Sequence, residues 1–154
     1  MTEVRFYHLT RTPLEQALPE LLEKTLERNQ RAVVMTGSPE RAESLTQHLW
    51  TYKPDGFLPH GNAKDGNAEA QPVWITSDDE RPNGASFLFL TDGASSAKRK
   101  DYERVCDLFD GNDPNALAAA RQRWAEAKNE GHSLSYWQQT ERGWTDATPQ
   151  GTKD

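Results

Sequence analysis

Two stretches of this chain, Ala32-Val33-Val34-Met35 and Phe87-Leu88-Phe89-Leu90, are apolar at consecutive positions, not at alternate ones. Successive side chains of a strand point to opposite faces of its sheet, so both runs need apolar cover on both sides. That requirement selects a sheet buried between layers, the usual setting of parallel strands joined by helices. The Phe87–Leu90 run is the most apolar of the chain and is expected at the centre of the sheet.

The segments around these runs read as helices and further strands. Val4-Arg5-Phe6-Tyr7-His8-Leu9 is a short aromatic-rich strand. In Thr12-Pro13-Leu14-Glu15, Thr12 is placed to cap, Pro13 to take the first helical position and Glu15 to close a capping box. Leu14, Ala17, Leu18, Leu21, Leu22, Thr25 and Leu26 then repeat at helical spacing to about Asn29, with Pro19 early in the segment as a bend or restart. After the Ala32–Met35 strand, Gly37 turns, Ser38 caps and Pro39 starts a helix whose apolar edge is Ala42, Leu45, Leu49 and Trp50. Strand, helix, strand, helix in this order predicts an α/β domain with a mostly parallel sheet between helices.

Farther on, Phe57-Leu58-Pro59-His60 is a short extended piece, and residues 61–71 and 78–84 read as polar loops around a Pro72–Thr76 strand. Tyr102–Phe109 reads as a strand in its second half. A helix runs from Pro114 to about Glu130, capped by Asp113 and stopped by Gly131. Trp137 and Trp144 fall in a polar segment, and disorder is expected from Thr145 onward. The organisation is thus one domain over residues 1–144 and a tail over 145–154.

Charge and composition narrow the function. With 24 acidic against 18 basic residues the net charge is −6, which excludes general nucleic-acid binding through net charge. The local run Lys98-Arg99-Lys100 reads as a solvated turn. Cys106 stands alone and reads as a small buried residue, and His8, His48, His60 and His132 have no metal-ligand spacing. His60 is expected to make a structural hydrogen bond. Neither a signal-peptide core nor a membrane-length apolar run is present, so a cytoplasmic, soluble chain is expected. Thr36-Gly37-Ser38-Pro39 lies where phosphate can bind between strand and helix, but it lacks the glycine-rich loop and the Lys-Ser/Thr of a phosphate loop. It reads as a capped turn. No metal and no cofactor are implied.

The capped helix carries the functional signal. Leu117, Arg121, Trp124 and Lys128 follow at steps of four, three and four and lie on one stripe. The stripe mixes apolar and cationic side chains in an acidic protein, which suits an acidic peptide ending in a hydrophobic residue. The same pattern also arises when Trp124 and Leu117 pack in the core and the two cations reach past them to solvent.

In their order and spacing, several of these segments resemble the chi subunit family of bacterial DNA polymerase III. They are Phe6-Tyr7-His8-Leu9, Leu49-Trp50, Phe57-Leu58-Pro59-His60, the Pro72-Val73 strand, the Phe87–Leu90 strand and Arg121-Gln122-Arg123-Trp124 closing at Gly131. The resemblance covers roughly residues 3–140. It implies a three-layer α/β/α fold like a mononucleotide-binding (Rossmann-like) domain without the phosphate loop. It also implies a non-catalytic accessory subunit of the clamp-loader complex that binds the acidic C-terminal tail of single-stranded DNA-binding protein, touching DNA only indirectly.

By this resemblance the tail site is Leu117, Arg121, Trp124 and Lys128. Arg121 sits where the family places a cation, Trp124 where it has tyrosine and Lys128 where it has arginine. Leu117 and Ala125 stand where basic residues are usual, so the implied site is less basic. A second surface, for the psi subunit or an XPD-like repair helicase, transfers onto Trp50 and Phe57. Two other readings stay open: an accessory subunit of such a helicase without the polymerase, and a Rossmann-type nucleotide-binding enzyme using the 36–39 turn.

Overall fold

The computed structural model describes residues 2–52, 58–141 and 143–149. The chain runs β1 (Glu3–Leu9), α1 (Leu14–Glu27), β2 (Ala32–Met35), α2 (Pro39–Thr51), β3 (Gly61–Asn62), β4 (Val73–Thr76), β5 (Phe87–Leu90), β6 (Arg104–Asp110), α3 (Pro114–Asn129), β7 (Ser133–Thr140) and β8 (Gly143–Asp146). The strands form one sheet in the order β3-β4-β2-β5-β6-β1-β7-β8. Every neighbouring pair is parallel except β7 and β8. This is the α/β class with the mostly parallel mixed sheet that the apolar runs predict, and β5 lies well inside it.

Alternation along the strands sorts the core into two clusters. Val34, Phe87, Phe89 and Leu108 pack with Leu18 and Leu22 of α1 and with Leu45 and Leu49 of α2. Val33, Leu88, Leu90, Val105 and Phe109 pack with Ala120 and Ala127 of α3. Direction of travel decides which helix goes where. From β1 the chain crosses β6 and β5 to reach β2; from β6 it crosses β1 the opposite way to reach β7. Parallel crossovers are right-handed, so the reversal places α3 on the face opposite α1 and gives three layers. All residues of β2 and β5 are buried, as their unbroken apolar pattern requires.

The start of α1 departs from the capping box. Pro13 is the N-cap, Leu14 the first helical residue, and no side chain caps the helix. A residue distant in sequence instead ties down the segment that leads into the helix. The Gln139 side-chain oxygen Oε1 accepts from the backbone N–H groups of Thr10, Arg11 and Thr12 at 3.2, 2.8 and 3.0 Å, and its side-chain Nε2 donates to the Thr12 hydroxyl at 2.6 Å. Glu15 instead pairs with Arg41 at 3.1 Å, which draws its carboxyl below the ordinary value against the opposing effect of burial. Replacing Gln139 with alanine strips three backbone donors of their acceptor. Because the loop is partly exposed and water can substitute, the expected loss is about 1–2 kcal/mol. A shift of the urea midpoint at unchanged slope checks it.

Pro19 stays inside a continuous α1. Its missing N–H frees the carbonyl of Glu15 four residues earlier, and His48 Nε2 of α2 lies 2.6 Å from that oxygen. The break in one helix thereby becomes a tie to the next. In α2, Ser38 caps by accepting from the Arg41 N–H at 3.1 Å. Ala42, Leu45 and Leu49 are buried, whereas Trp50, expected on the same edge, is 46% exposed. The 61–71 segment, expected as loop, contributes Gly61–Asn62 as edge strand β3 and a 3-10 turn at Ala68–Ala70. Arg99, expected in a solvated turn, is 3% exposed and pairs with Glu130 at 3.2 Å and Glu126 at 3.8 Å near the end of α3. A cation is favoured at a helix C-terminus, and these two glutamates draw it in.

The segment with Trp137 and Trp144 forms the hairpin β7–β8, and β8 runs past Thr145 to Asp146. Its period-2 signal is masked by polar residues on the solvated face. Residues 150–154 lie outside the described part of the chain. No helix among the described residues is long and apolar enough to cross a membrane.

Candidate functional site

Helix α3 is bounded as its sequence dictates. The Asp113 carboxylate accepts from the N–H groups of Asn115 and Ala116 at 2.9 and 3.4 Å, and Pro114 takes the first helical position. At the other end Gly131 adopts φ +84°. Its N–H donates to Lys128 O at 3.0 Å, and the His132 N–H donates to Ala127 O at 3.3 Å, the paired bonds of a Schellman stop.

The buried side of α3 is Ala120, Arg123 and Ala127. Two alanines bring the helix close to the sheet. Between them Arg123 reaches Asp107 of β6, with Nε and Nη2 at 2.6 and 2.9 Å from its two carboxylate oxygens. Burial raises the Asp107 carboxyl, while the guanidinium opposes that rise. The pair is a buried fork that fixes the helix in position.

This seating leaves the Leu117–Arg121–Trp124 flank beside the edge of the core. Trp124 and Leu117 are half-buried there, whereas Arg121 and Lys128 are exposed. The Trp124 ring lies 5.1 Å from Phe6 of β1 and 5.9 Å from Tyr136 of β7. Beside it opens a cavity of about 280 Å³ lined by Phe6, Phe109, Leu117, Ala120, Trp124 and Tyr136, with Arg121 and Pro149 also at its wall. Lys128 does not line the cavity. It follows Trp124 by one helical turn, about 6 Å along the axis.

Among the described residues neither Arg121 nor Lys128 has a carboxylate partner within salt-bridge distance. Burial raises the Tyr136 hydroxyl, and the nearby charge of Arg121 partly offsets that rise. Tyr136 Oη is 2.5 Å from His8 Nδ1, which holds the phenol in place. The arrangement is an apolar cavity with one uncompensated guanidinium at its wall and a second cation a turn away. Tyr136, Phe6 and Phe109 are the residues that the helix pattern alone misses. The aromatic alternation of the first strand was the signal for Phe6; Tyr136 lies on a strand that the sequence does not announce.

Trp50, assigned by resemblance to a second surface, lies at the end of α2 with its ring 4.3 Å from His60. It is the only large hydrophobic side chain exposed among the described residues. His60 itself is buried, its ring nitrogens 2.6 Å from Leu58 O and 2.9 Å from Thr46 O. Phe57, the other residue of that surface, lies outside the described residues.

A larger cavity, of about 720 Å³, lies where β1 and β6 end and their connections diverge to opposite faces. Open α/β sheets place ligands at such a switch point. Here the lining arginines are paired: Arg41 with Glu15 and Asp92, Arg123 with Asp107 and Arg11 with Glu141. At the 36–39 turn, a Cβ on Gly37 would stand 3.3 Å from the Asp92 Cβ, so Asp92, paired with Arg41, lies close against the turn. Cys106 is fully enclosed, and burial pushes its thiol up to about 12.

The family described as "DNA polymerase III chi subunit, HolC" matches residues 1–135. A protein of Rickettsia prowazekii (strain Madrid E) named "Probable DNA polymerase III subunit chi" is 33% identical over 108 residues, which are 68% of this chain and 66% of that relative. The match therefore spans just under two-thirds of the relative's own length. With its first 135 residues matched in one continuous stretch, this chain belongs to the DNA polymerase III chi subunit family.

Proposed function

We propose that this chain is a non-catalytic accessory subunit of the DNA polymerase III clamp-loader complex that binds the acidic C-terminal tail of single-stranded DNA-binding protein during replication. The observation that carries the reading is the α3 cavity, apolar inside and flanked by an arginine that has no acidic partner among the described residues. A tail of the type Asp-Asp-x-Pro-Phe brings side-chain carboxylates, a terminal carboxylate and a terminal ring. The ring fits among Leu117, Trp124 and Tyr136. Arg121 grips a carboxylate through two parallel N–H donors, and Lys128 meets the acidic residues upstream as a point charge.

So small a contact supports micromolar affinity, about −8 kcal/mol. Exposed ion pairs are screened by salt, and several tails on one oligomeric partner offset weak single contacts. The net charge of −6 leaves DNA an indirect partner, reached through the protein that coats it. Titration with whole single-stranded DNA-binding protein and with a tail-less form tests the reading. Binding should require the tail and weaken about tenfold or more between 50 mM and 500 mM salt. Equal binding of the tail-less form would refute it.

Trp50 favours a second contact. An exposed tryptophan beside a buried histidine suits an apolar partner surface such as psi, or an XPD-like helicase where that is the partner. Trp50→Ala should therefore leave tail binding unchanged and reduce binding of that partner, read by co-purification. The nucleotide-binding alternative is disfavoured by Asp92 beside the 36–39 turn and by the carboxylate partners already held by the arginines of the switch-point cavity.

A further inference from the structure

The cavity on α3 has a wall that comes from beyond the matched part of the chain. The family match ends at residue 135, yet Tyr136 and Pro149 both line the cavity. Pro149 is delivered there by a specific path. After β8 the chain continues alongside β7, with the Ala147 N–H donating to Tyr136 O at 2.7 Å. The Tyr136 N–H then donates to the Thr148 hydroxyl oxygen at 2.9 Å, a side chain standing in for the next backbone acceptor. Thr148 is itself tied back, its N–H and hydroxyl donating to Asp146 Oδ1 at 3.0 and 2.5 Å. Side-chain hydrogen bonds fix the backbone here, so the placement of Pro149 is specified and not a trailing end.

We infer that residues 146–149 form a strap that completes the peptide pocket, with Pro149 as its outer wall against the terminal aromatic residue of an acidic tail. This rests on the tail-binding reading above and deepens it. Pro149 is exposed, so the fold itself does not bury the ring that the strap positions so carefully. An apolar ring held at a rim and left uncovered contributes by excluding water around whatever enters. The cavity remains open with Pro149 in place, which makes the strap a wall and not a plug. Its contribution falls on the apolar end of the peptide and not on the carboxylates, which belong to Arg121 and Lys128.

The test uses three chains: the full chain, one ending at Asp146, and Thr148→Val, which keeps the shape of the side chain but loses the hydroxyl acceptor. Each is titrated with an acidic peptide ending in Pro-Phe and with the same peptide lacking Phe. Circular dichroism confirms that all three are folded. Removing the strap should weaken the Phe-ending peptide about fivefold, and Thr148→Val should weaken it about threefold. The peptide lacking Phe should show no difference among the three chains, its binding being lost on each. If the full chain binds the Phe-ending peptide and the shortened chain binds it equally well or more tightly, the strap is no wall and the inference falls alone. If the full chain does not bind the peptide at all, the tail-binding reading falls and takes this one with it.

Discussion

Replacing Arg123 with alanine should lower the free energy of unfolding by about 3–5 kcal/mol, because it strands a buried carboxylate. Asp107 is 1% exposed, and both of its oxygens are taken by this one guanidinium. Arg99 also favours the ionised form from a distance, but it makes no direct contact with Asp107 among the described residues. Replacing both partners with leucine should recover most of the loss, since a buried pair is worth much less than the penalty of breaking it.

The pH dependence has a definite sign. Burial already raises the folded-state carboxyl of Asp107, and removing the guanidinium raises it further. A carboxyl whose folded value lies above its unfolded one takes up a proton more readily in the folded state, so acidification through that window favours folding. The gap between Arg123→Ala and the parent should therefore be smaller at mildly acidic pH than at neutrality. Urea titrations at the two pH values read both effects. A loss under about 1 kcal/mol would show that the pair does not fix α3 to β6.

The second large effect is on binding. Arg121→Ala should weaken the acidic peptide by about 2 kcal/mol, roughly thirtyfold, as expected for an anchor beside an apolar pocket. The residue is exposed and has no carboxylate partner in its own chain among the described residues, so its loss should leave the unfolding midpoint in place. Arg121→Lys should fall between the two, keeping the charge and losing the fork. Trp124 is a less clean probe. Its ring packs on Phe6 at 5.1 Å, so truncating it removes core contact along with the pocket. The packed reading of the helical stripe holds for its two apolar residues. Trp124 and Leu117 do pack toward the core, and the cavity lies at the edge of that packing.

The parts of the fold set by local chemistry were readable from the chain. Consecutive apolar residues made β2 and β5 central, and Ser38, Asp113 and Gly131 set helix ends by bonds to neighbours in sequence. What escaped the reading depends on residues far apart in sequence. Gln139 holds the Thr10–Thr12 lead-in to α1 from about 130 positions away and takes the Thr12 hydroxyl that looked like the cap. Arg99 looked solvated because Glu126 and Glu130, its partners, lie a helix away. The β7–β8 hairpin was hidden because its outer face is polar and its strands are at the sheet's edge, where one apolar face is enough. That omission mattered for the site: Leu117, Arg121 and Trp124 were visible as a stripe, but Tyr136 and Pro149 come from the hairpin and the residues beyond it.

The most direct measurement is a titration of the full chain and of Arg121→Ala with a labelled acidic peptide ending in Asp-Ile-Pro-Phe, beside the same peptide without its final Phe, at low and high salt. The account predicts micromolar, salt-sensitive binding that is lost with the Phe and weakened about thirtyfold in the variant. Binding that ignores both the terminal Phe and Arg121 would contradict it.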